Sequence, residues 1–330
     1  MAVSIADIQK LRKMTGAGLS DCKKALTETE GNFDKAVEII REKGQAIAAK
    51  RSDRETSNGC VLVKYADNFG AIVALKCETD FVANGADYIK LTQDILDAAV
   101  AAKAKSLDEV KELTIADGTK VQDAVVARSG ITEEKMELDG YNFIEGENIS
   151  TYDHMGKHTL CTMVQTNKAA EEQAHAIAMQ VAAMKPMFLD EASVSQEFIE
   201  EEKKVAAEKT KQELVQKAVD AALKKAGINP AHVDSEEHME SNMGKGWITA
   251  EDVAKAKEII ATVSAEKAAN LPAQMIENIV KGRINRIYKE NCLLNQEFIQ
   301  DSKLSVADYL KAADKDLTVV DYKRFSLSAD

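Results

Sequence analysis

Proline and aromatic residues are scarce in this chain. Its 330 residues include three prolines, and Phe, Trp and Tyr together make up 5%. Because prolines interrupt helices and aromatic residues favour strands, this composition predicts long helices rather than a β-sandwich or β-barrel. Hydrophobic residues at 45% and charged residues at 30% are ordinary for a folded protein. At about 100–200 residues per domain, the length predicts two or three units.

Long apolar runs are also missing. The most apolar stretches, 71–75 and 98–102, are far shorter than the roughly 18 residues that a membrane-spanning helix needs. The N-terminus has no basic start followed by an apolar run, which disfavours a signal peptide. The cysteines are dispersed without a C-x-x-C pair, which fits reduced thiols better than a secreted disulfide framework: Cys22, Cys60, Cys77, Cys161 and Cys292. We therefore expect a cytoplasmic protein that does not act at a membrane.

Positive charge is in deficit. Lys and Arg number 43 against 55 Asp and Glu, a net charge of −12. This balance disfavours nucleic acid as the primary partner, since neutralising phosphates needs an excess of Lys and Arg. Residues 1–54 nevertheless hold 11 basic against 8 acidic residues, a net charge of +3 that leaves −15 for the rest. The asymmetry is compatible with separate modules that meet different surfaces of one partner, and equally with ordinary solvated helix faces.

The first 45 residues predict a module of three short helices. Each predicted helix follows a residue type that caps helix N-termini, and apolar residues then recur at helical spacing. The N-cap positions are Ser4, Ser20 and Asn32, and the breaks are residues 15–18, Gly31 and Gly44. Residues 50–59 are polar and charged, which is typical of a linker. We assign the linker to 46–58 and expect its basic cluster to be a solvated tether.

An internal repeat follows the linker. Strands at 60–65 and 71–77 with a helix after them are echoed by strands at 149–152 and 159–165 and a second helix that ends near Pro186. Helical segments at 106–113 and 119–128 and strands at 136–138 and 141–144 are predicted between the copies. We expect an α+β fold with a duplicated core of small antiparallel sheets and helices, its N-half at 59–145 and its C-half at 146–195.

Residues 196–290 predict an inserted helical arm. A long, highly charged helix spans 196–225, a polar loop covers 227–245, and two more helical stretches lie at 250–261 and 272–288. After the arm, residues 293–299, 306–310 and 317–320 predict a strand, a short helix and a last strand. We expect residues from about 291 to 330 to complete the C-half of the core, with 300–330 as a C-terminal module.

The loop between the second strand and the first core helix allows two interpretations. Residues 79–82 read Thr-Asp-Phe-Val. In one interpretation Asp80 caps the coming helix and Phe81 packs inward against it. In the other, the loop projects Phe81 and Asp80 towards a partner. The second copy has neither an acid nor an aromatic residue at 166–169, which favours a specialised loop in the first copy.

Three motifs together resemble the translation elongation factor Ts family. They are TGAGLSDCKKAL at 15–26, TDFV at 79–82 and HAIAMQVAAMKP at 175–186, in the order found in that family. The resemblance implies a guanine-nucleotide exchange factor for elongation factor Tu, which it would meet in GDP-bound and nucleotide-free forms. It also implies a ubiquitin-associated-like N-terminal module, a two-half core and a helical-hairpin arm. The arm is longer than in many relatives, which is compatible with a helical spacer or with a new site.

The resemblance also assigns residues. It implies that Thr79, Asp80, Phe81 and Val82 enter the partner's GTPase domain beside its magnesium site, with Phe81 as a wedge between helices. Further partner contacts would involve Arg12 and Leu19, for which an ordinary surface position is the alternative, and His154, which would either pack internally or touch the partner.

Residues for covalent chemistry are lacking. Neither the pair His154 and His158 nor the pair His232 and His238 has a third ligand at metal-binding spacing, so no metal and no cofactor is expected. No phosphate-binding loop is present, so the chain should not itself bind GTP. The chain is therefore expected not to be an enzyme of covalent chemistry. A non-catalytic adaptor that uses the three-helix module is the alternative function, and a thiol enzyme built on Cys77 or Cys161 is a remote third. Dimerisation is left open.

Overall fold

A computed structural model describes residues 3–328 of the chain. The chain divides into two compact units. One comprises the chain up to Leu189 together with the segment from Glu297 onward, and the other comprises Asp190–Gln296. The finer division into module, linker, core halves and C-terminal module stays a prediction.

Three helices form the N-terminal module: α1 (Ile5–Thr15), α2 (Leu19–Glu28) and α3 (Phe33–Lys50). Ser4 and Asn32 cap α1 and α3 as predicted, since their side chains accept hydrogen bonds from backbone N–H groups three residues on. Their common core contains Leu11, Cys22, Ala25, Leu26 and Ala36.

Two details of these helices differ from the sequence prediction. The N-cap of α2 is Gly18, and Ser20 lies inside the helix. Helix α3 does not end at Gly44 but continues to Lys50. Gly44 is buried inside the helix, without the positive φ that a C-capping glycine adopts.

The first half of the core is a three-stranded antiparallel sheet with helices on it. The elements are β1 (Asn58–Ala66), β2 (Phe69–Cys77), α4 (Asp80–Ala83), α5 (Ala86–Ala102), α6 (Leu107–Glu112), α7 (Val121–Thr132) and β3 (Met136–Glu145). The central strand is β2, which pairs with both neighbours. The two strands predicted at 136–138 and 141–144 are one strand, in which Asp139 bulges out where the register shifts opposite Ala74 and Leu75.

The second half repeats the hairpin and helix with β4 (Ile149–Asp153), β5 (Leu160–Thr166) and α8 (Glu171–Met184). Its hairpin packs against that of the first half through a buried cluster. That cluster contains Val61, Ile72, Ala74, Ile144, Ile149, Cys161 and Met163. The core of the first half continues on the other face of its sheet, where β2 residues pack against α5. The duplicated α+β core is thereby confirmed.

The unit Asp190–Gln296 is helical. It contains α9 (Gln196–Lys225), α10 (Glu236–Gly244), α11 (Ala250–Ala269) and α12 (Ala273–Asn291). Both α11 and α12 pack on α9, and a separate apolar core that includes Val219, Leu223 and Ile248 joins the distal helices. The prediction of a polar loop at 227–245 is wrong in part, because α10 begins within this range after its N-cap Ser235.

The last segment returns to the core with β6 (Glu297–Phe298), β7 (Asp301–Ser305), α13 (Val306–Ala313) and β8 (Val319–Ser326). The buried Gln180 of α8 holds this segment, since its side chain donates to Glu297 O at 3.1 Å and accepts from Ile299 N at 2.8 Å. Strand β8 then pairs with β5, giving the second sheet the order β4-β5-β8. Within residues 3–328 no helix has the length and apolar character needed to cross a membrane.

Candidate functional site

The loop after β2 is a single capped helical turn. Thr79 is the N-cap of α4, and its side-chain oxygen accepts from Val82 N at 3.3 Å. At the other end, the Asn84 side-chain amide donates to Asp80 O at 2.8 Å. These bonds close the turn from both sides, so the sequence itself fixes the backbone of residues 79–84.

The turn points Phe81 away from the protein. Its side chain is 87% exposed, an unusual position for a phenylalanine. Asp80 is also exposed, whereas Val82 and Ala83 pack inward against the core of the first half. The interpretation in which Asp80 caps the helix and Phe81 packs inward is therefore wrong. Thr79 occupies the cap position, and this shifts Asp80 to the first helical position and Phe81 to the outer face.

Two carboxylates connect the turn to the residues that follow α7. Glu134 accepts from Thr79 N at 3.1 Å and from the Thr79 hydroxyl at 2.6 Å. Glu78, directly before the turn, accepts from Lys135 N at 2.6 Å. Hydrogen bonds to a charged carboxylate are stronger than those between neutral groups, so these contacts hold the base of the exposed turn in place.

Glu78 also reaches the end of the N-terminal module. The guanidinium of Arg51, the residue after α3, donates to both carboxylate oxygens of Glu78 at 2.9 and 3.1 Å. The hydrogen bond from Lys135 N, and then those from Arg51, hold the pKa of Glu78 below its usual value. The segment expected to be a solvated tether is thus fastened to the core. Sequence reasoning missed Glu78 and Arg51 because they are 27 positions apart and no local pattern pairs them.

The secondary residues lie on other elements of the same unit. Arg12 is exposed on α1, and Leu19, the first residue of α2, is 48% exposed. His154 is half-buried in the turn of the second hairpin, with its Nδ1 3.2 Å from the hydroxyl of Tyr152. The neighbouring Met155 is 69% exposed at a φ of 57°. The second hairpin therefore also presents an apolar side chain, which sequence reasoning did not single out.

A small hollow brings the loop and the second hairpin together. It has a volume of about 240 Å³, and Asp80 of α4 and Asn84, the residue after α4, line it. Lys157 and His158 line it from the turn of the hairpin. The Asp80 side of the exposed turn and the second half of the core thus belong to one continuous surface.

The structure offers no support for metal or thiol chemistry in its described part. Among residues 3–328, no three His, Cys, Asp or Glu side chains are grouped so as to hold a metal ion. All five cysteines are buried. Burial raises the pKa of the Cys77 thiol to about 11 and raises that of Cys161 further. Neither residue fits the thiol enzyme named as the third alternative, because a nucleophilic cysteine needs an accessible thiolate.

Comparison with known proteins agrees with the motifs. A sequence model of the family described as "Elongation factor TS" matches residues 78–226 and 216–329. A protein of Bacteroides fragilis named "Elongation factor Ts" is 68% identical, and proteins of the same name from Parabacteroides distasonis and Porphyromonas gingivalis are 65% and 42% identical. Each comparison covers the whole of both chains. The chain belongs to the elongation factor Ts family.

The match to the family model includes the exposed turn. The matched range begins at Glu78. It therefore includes residues 79–82 and also Glu134 and Lys135, which hold the turn and Glu78. The N-terminal module lies outside that range but inside the full-length matches. The full-length matches also run through the arm, so these relatives share its length.

Proposed function

We propose that this chain is a guanine-nucleotide exchange factor for elongation factor Tu. It binds the GDP-bound partner, inserts the Asp80/Phe81 turn near the magnesium site, promotes the release of GDP and stabilises the nucleotide-free state until GTP binds. The observation that carries the proposal is the 87% exposure of Phe81 on a braced turn in a chain of this family.

The exposed phenylalanine provides binding free energy for a partner rather than for the fold. Burying a phenylalanine side chain contributes about 1.5–3 kcal/mol. Residues at the centre of protein interfaces that contribute about 2 kcal/mol or more are often aromatic. Because the turn is already fixed by Thr79, Glu134 and Asn84, little conformational entropy is lost when it is inserted.

Insertion near the magnesium site suits the chemistry of nucleotide release. The magnesium ion and the backbone N–H groups of a phosphate-binding loop hold the phosphates of a bound nucleotide, so a shift of either weakens binding. An exchange factor breaks no covalent bond. It binds the nucleotide-free partner more tightly than the GDP-bound partner, and a tenfold difference corresponds to about 1.4 kcal/mol.

Further contacts extend the surface on both sides of the turn. Arg12 and Leu19 of the N-terminal module touch the same GTPase domain, and His154 places the second half against the partner. Exposure of Arg12 and Leu19 supports the first contact. For the second, support comes from the hollow that joins Asp80 to the second hairpin.

Stopped-flow release of a fluorescent GDP from elongation factor Tu tests the proposal. With this chain added, we expect release to accelerate and to reach a maximum at high concentration of the chain. Binding measured by calorimetry without any acceleration would contradict exchange and would favour the adaptor function of the three-helix module.

A further inference from the structure

Helices α3 and α7 touch through two glycines. A Cβ atom built on Gly130 would lie 2.4 Å from the Cα of Gly44, and one built on Gly44 would lie 3.4 Å from Val126 O. Both glycines lie inside helices and neither has a positive φ. Backbone conformation therefore does not require glycine at these positions. The close approach of the two helices requires glycine at 130, where even a Cβ would collide with the Cα of Gly44. At Gly44 a Cβ alone would just touch the backbone of α7, so a longer side chain there would push the helices apart.

Polar contacts fasten α3 on both sides of this crossing. Arg41 forms an ion pair with Asp123 of α7 at 3.2 Å. Arg51 holds Glu78 with two hydrogen bonds at the other end of the helix. The span from 41 to 51 corresponds to about 15 Å of helix, so α3 is attached along three turns rather than at one point.

The same contacts lead directly to the exposed turn. Glu78 precedes Thr79 in the chain, and Glu134, which holds Thr79, follows the end of α7 by two residues. The helix that carries the N-terminal module, the helix it crosses and the turn that carries Phe81 are therefore joined by a short series of direct contacts.

From these contacts we infer that Gly44 and Arg51 are positioning residues, which fix the N-terminal module and the Asp80/Phe81 turn as one surface for a single GTPase domain. This inference rests on the proposed function. Two contact sites held at a fixed separation bind together, because the first contact raises the effective concentration of the second. A loosely tethered module would lose part of that gain to the entropy of finding its site.

Gly44→Leu tests the inference without touching the turn. Leucine is a strong helix former, so α3 itself persists while its side chain forces the crossing open. The concentration of the chain that gives half-maximal GDP release is expected to rise about tenfold. The maximal rate should stay within about twofold, because the bonds that fix residues 79–84 are unchanged. Gly282→Leu is the matched control, since Gly282 lies in α12 and a Cβ built on it would meet open space. It should leave both values unchanged.

Arg51→Gln provides a second variant that adds no volume. It removes the charged bonds to Glu78, and we expect the half-maximal concentration to rise about fivefold. Hydrogen–deuterium exchange of the free protein reports the crossing independently of any partner. In Gly44→Leu the amides of α3 and α7 are expected to exchange at least about tenfold faster than in the parent chain.

Two results would overturn the inference. One is unchanged hydrogen exchange in Gly44→Leu, which would mean that the crossing does not hold the module. The other is faster hydrogen exchange with an unchanged half-maximal concentration, which would mean that the module need not be fixed. If the parent chain fails to accelerate GDP release at all, the proposed function fails instead, and the hydrogen-exchange result still decides whether the crossing holds.

Discussion

Replacing Phe81 by alanine should separate folding from exchange. The side chain is 87% exposed, so its removal takes almost no apolar area out of the protein interior. Substitutions at such positions change the free energy of unfolding by about 0.5 kcal/mol or less. The helical turn keeps its cap, because Thr79, Val82 and Asn84 make their hydrogen bonds without Phe81. We therefore expect an unchanged urea midpoint.

The effect on exchange should be large. If the partner buries most of the exposed ring, alanine removes about 2–3 kcal/mol of binding free energy. At about 1.4 kcal/mol for each factor of ten, the rate of GDP release at subsaturating concentration should fall about 30- to 150-fold. Stopped-flow fluorescence with a labelled GDP on elongation factor Tu measures this rate directly.

Trp247→Ala is the matched control for that experiment. Trp247 is another exposed aromatic residue, 61% accessible, and it lies in the helical unit Asp190–Gln296 rather than at the proposed contact. Its removal should change the rate by less than about twofold. A Phe81→Ala chain that folds normally and exchanges as fast as the parent would refute the assignment of Phe81 as the wedge.

Four further measurements test the structure itself. Tyr88→Phe removes a buried hydroxyl that donates to Leu75 O at 2.8 Å, and should lower the free energy of unfolding in urea by about 1–2 kcal/mol; an unchanged value would contradict that bond. The lowered pKa of Glu78 means that its contribution to stability is present at neutral pH and is lost as the pH falls through its folded-state pKa. The stability difference between Glu78→Gln and the parent should accordingly be constant from pH 7 to about 5 and shrink below about pH 4, whereas a difference independent of pH would count against the ion pair. Burial raises the pKa of Cys77 to about 11, so iodoacetamide should leave this thiol unmodified in the native protein at pH 7.5 and alkylate it in urea, as measured by mass spectrometry. Rapid alkylation of the native protein would argue against the burial. Leu223→Ala leaves a cavity in the separate core of the helical unit and should lower the free energy of unfolding by about 2–5 kcal/mol. A urea titration followed by the fluorescence of the single tryptophan measures this value, and an unchanged free energy would contradict the packing of Leu223.

Much of the fold was predictable because its determinants are local. Ser4 and Asn32 act through hydrogen bonds to residues three positions on, which a sequence displays directly. The two hairpins followed from alternating apolar strands around short turns, and their repetition revealed the duplicated core. Strand β8 pairs with β5, which lies more than 150 residues earlier in the chain. No local pattern marks this pairing, and the bounds predicted for this strand, 317–320, differ from the observed Val319–Ser326.

Glycines show where local reasoning fails. Gly44 was predicted to end its helix, because a glycine after an apolar periodic segment is a common C-cap. The structure uses it instead for contact with Gly130 on another helix. Sequence alone cannot distinguish the two uses, since the deciding neighbour is 86 positions away.

The position of the candidate site was predictable from the sequence, but its geometry was not. The family motif located residues 79–82, but their spacing could not decide which way Phe81 points, because Thr79 and Asp80 are both residues that cap helices. The choice of Thr79 as the cap is helped by Glu134, which binds its N–H and its hydroxyl from a distant part of the chain. The brace of the turn is tertiary and leaves no local signal.

The most direct test of the central claim is a closed thermodynamic cycle. Calorimetry should measure the affinity of this chain for nucleotide-free and for GDP-bound elongation factor Tu, and the affinity of the partner for GDP with and without this chain. We predict that the chain prefers the nucleotide-free partner by about tenfold or more, and that it lowers the affinity for GDP by the same factor, as linkage requires. Equal affinity for the two forms of the partner would contradict the account, because a protein that binds both equally shifts no equilibrium.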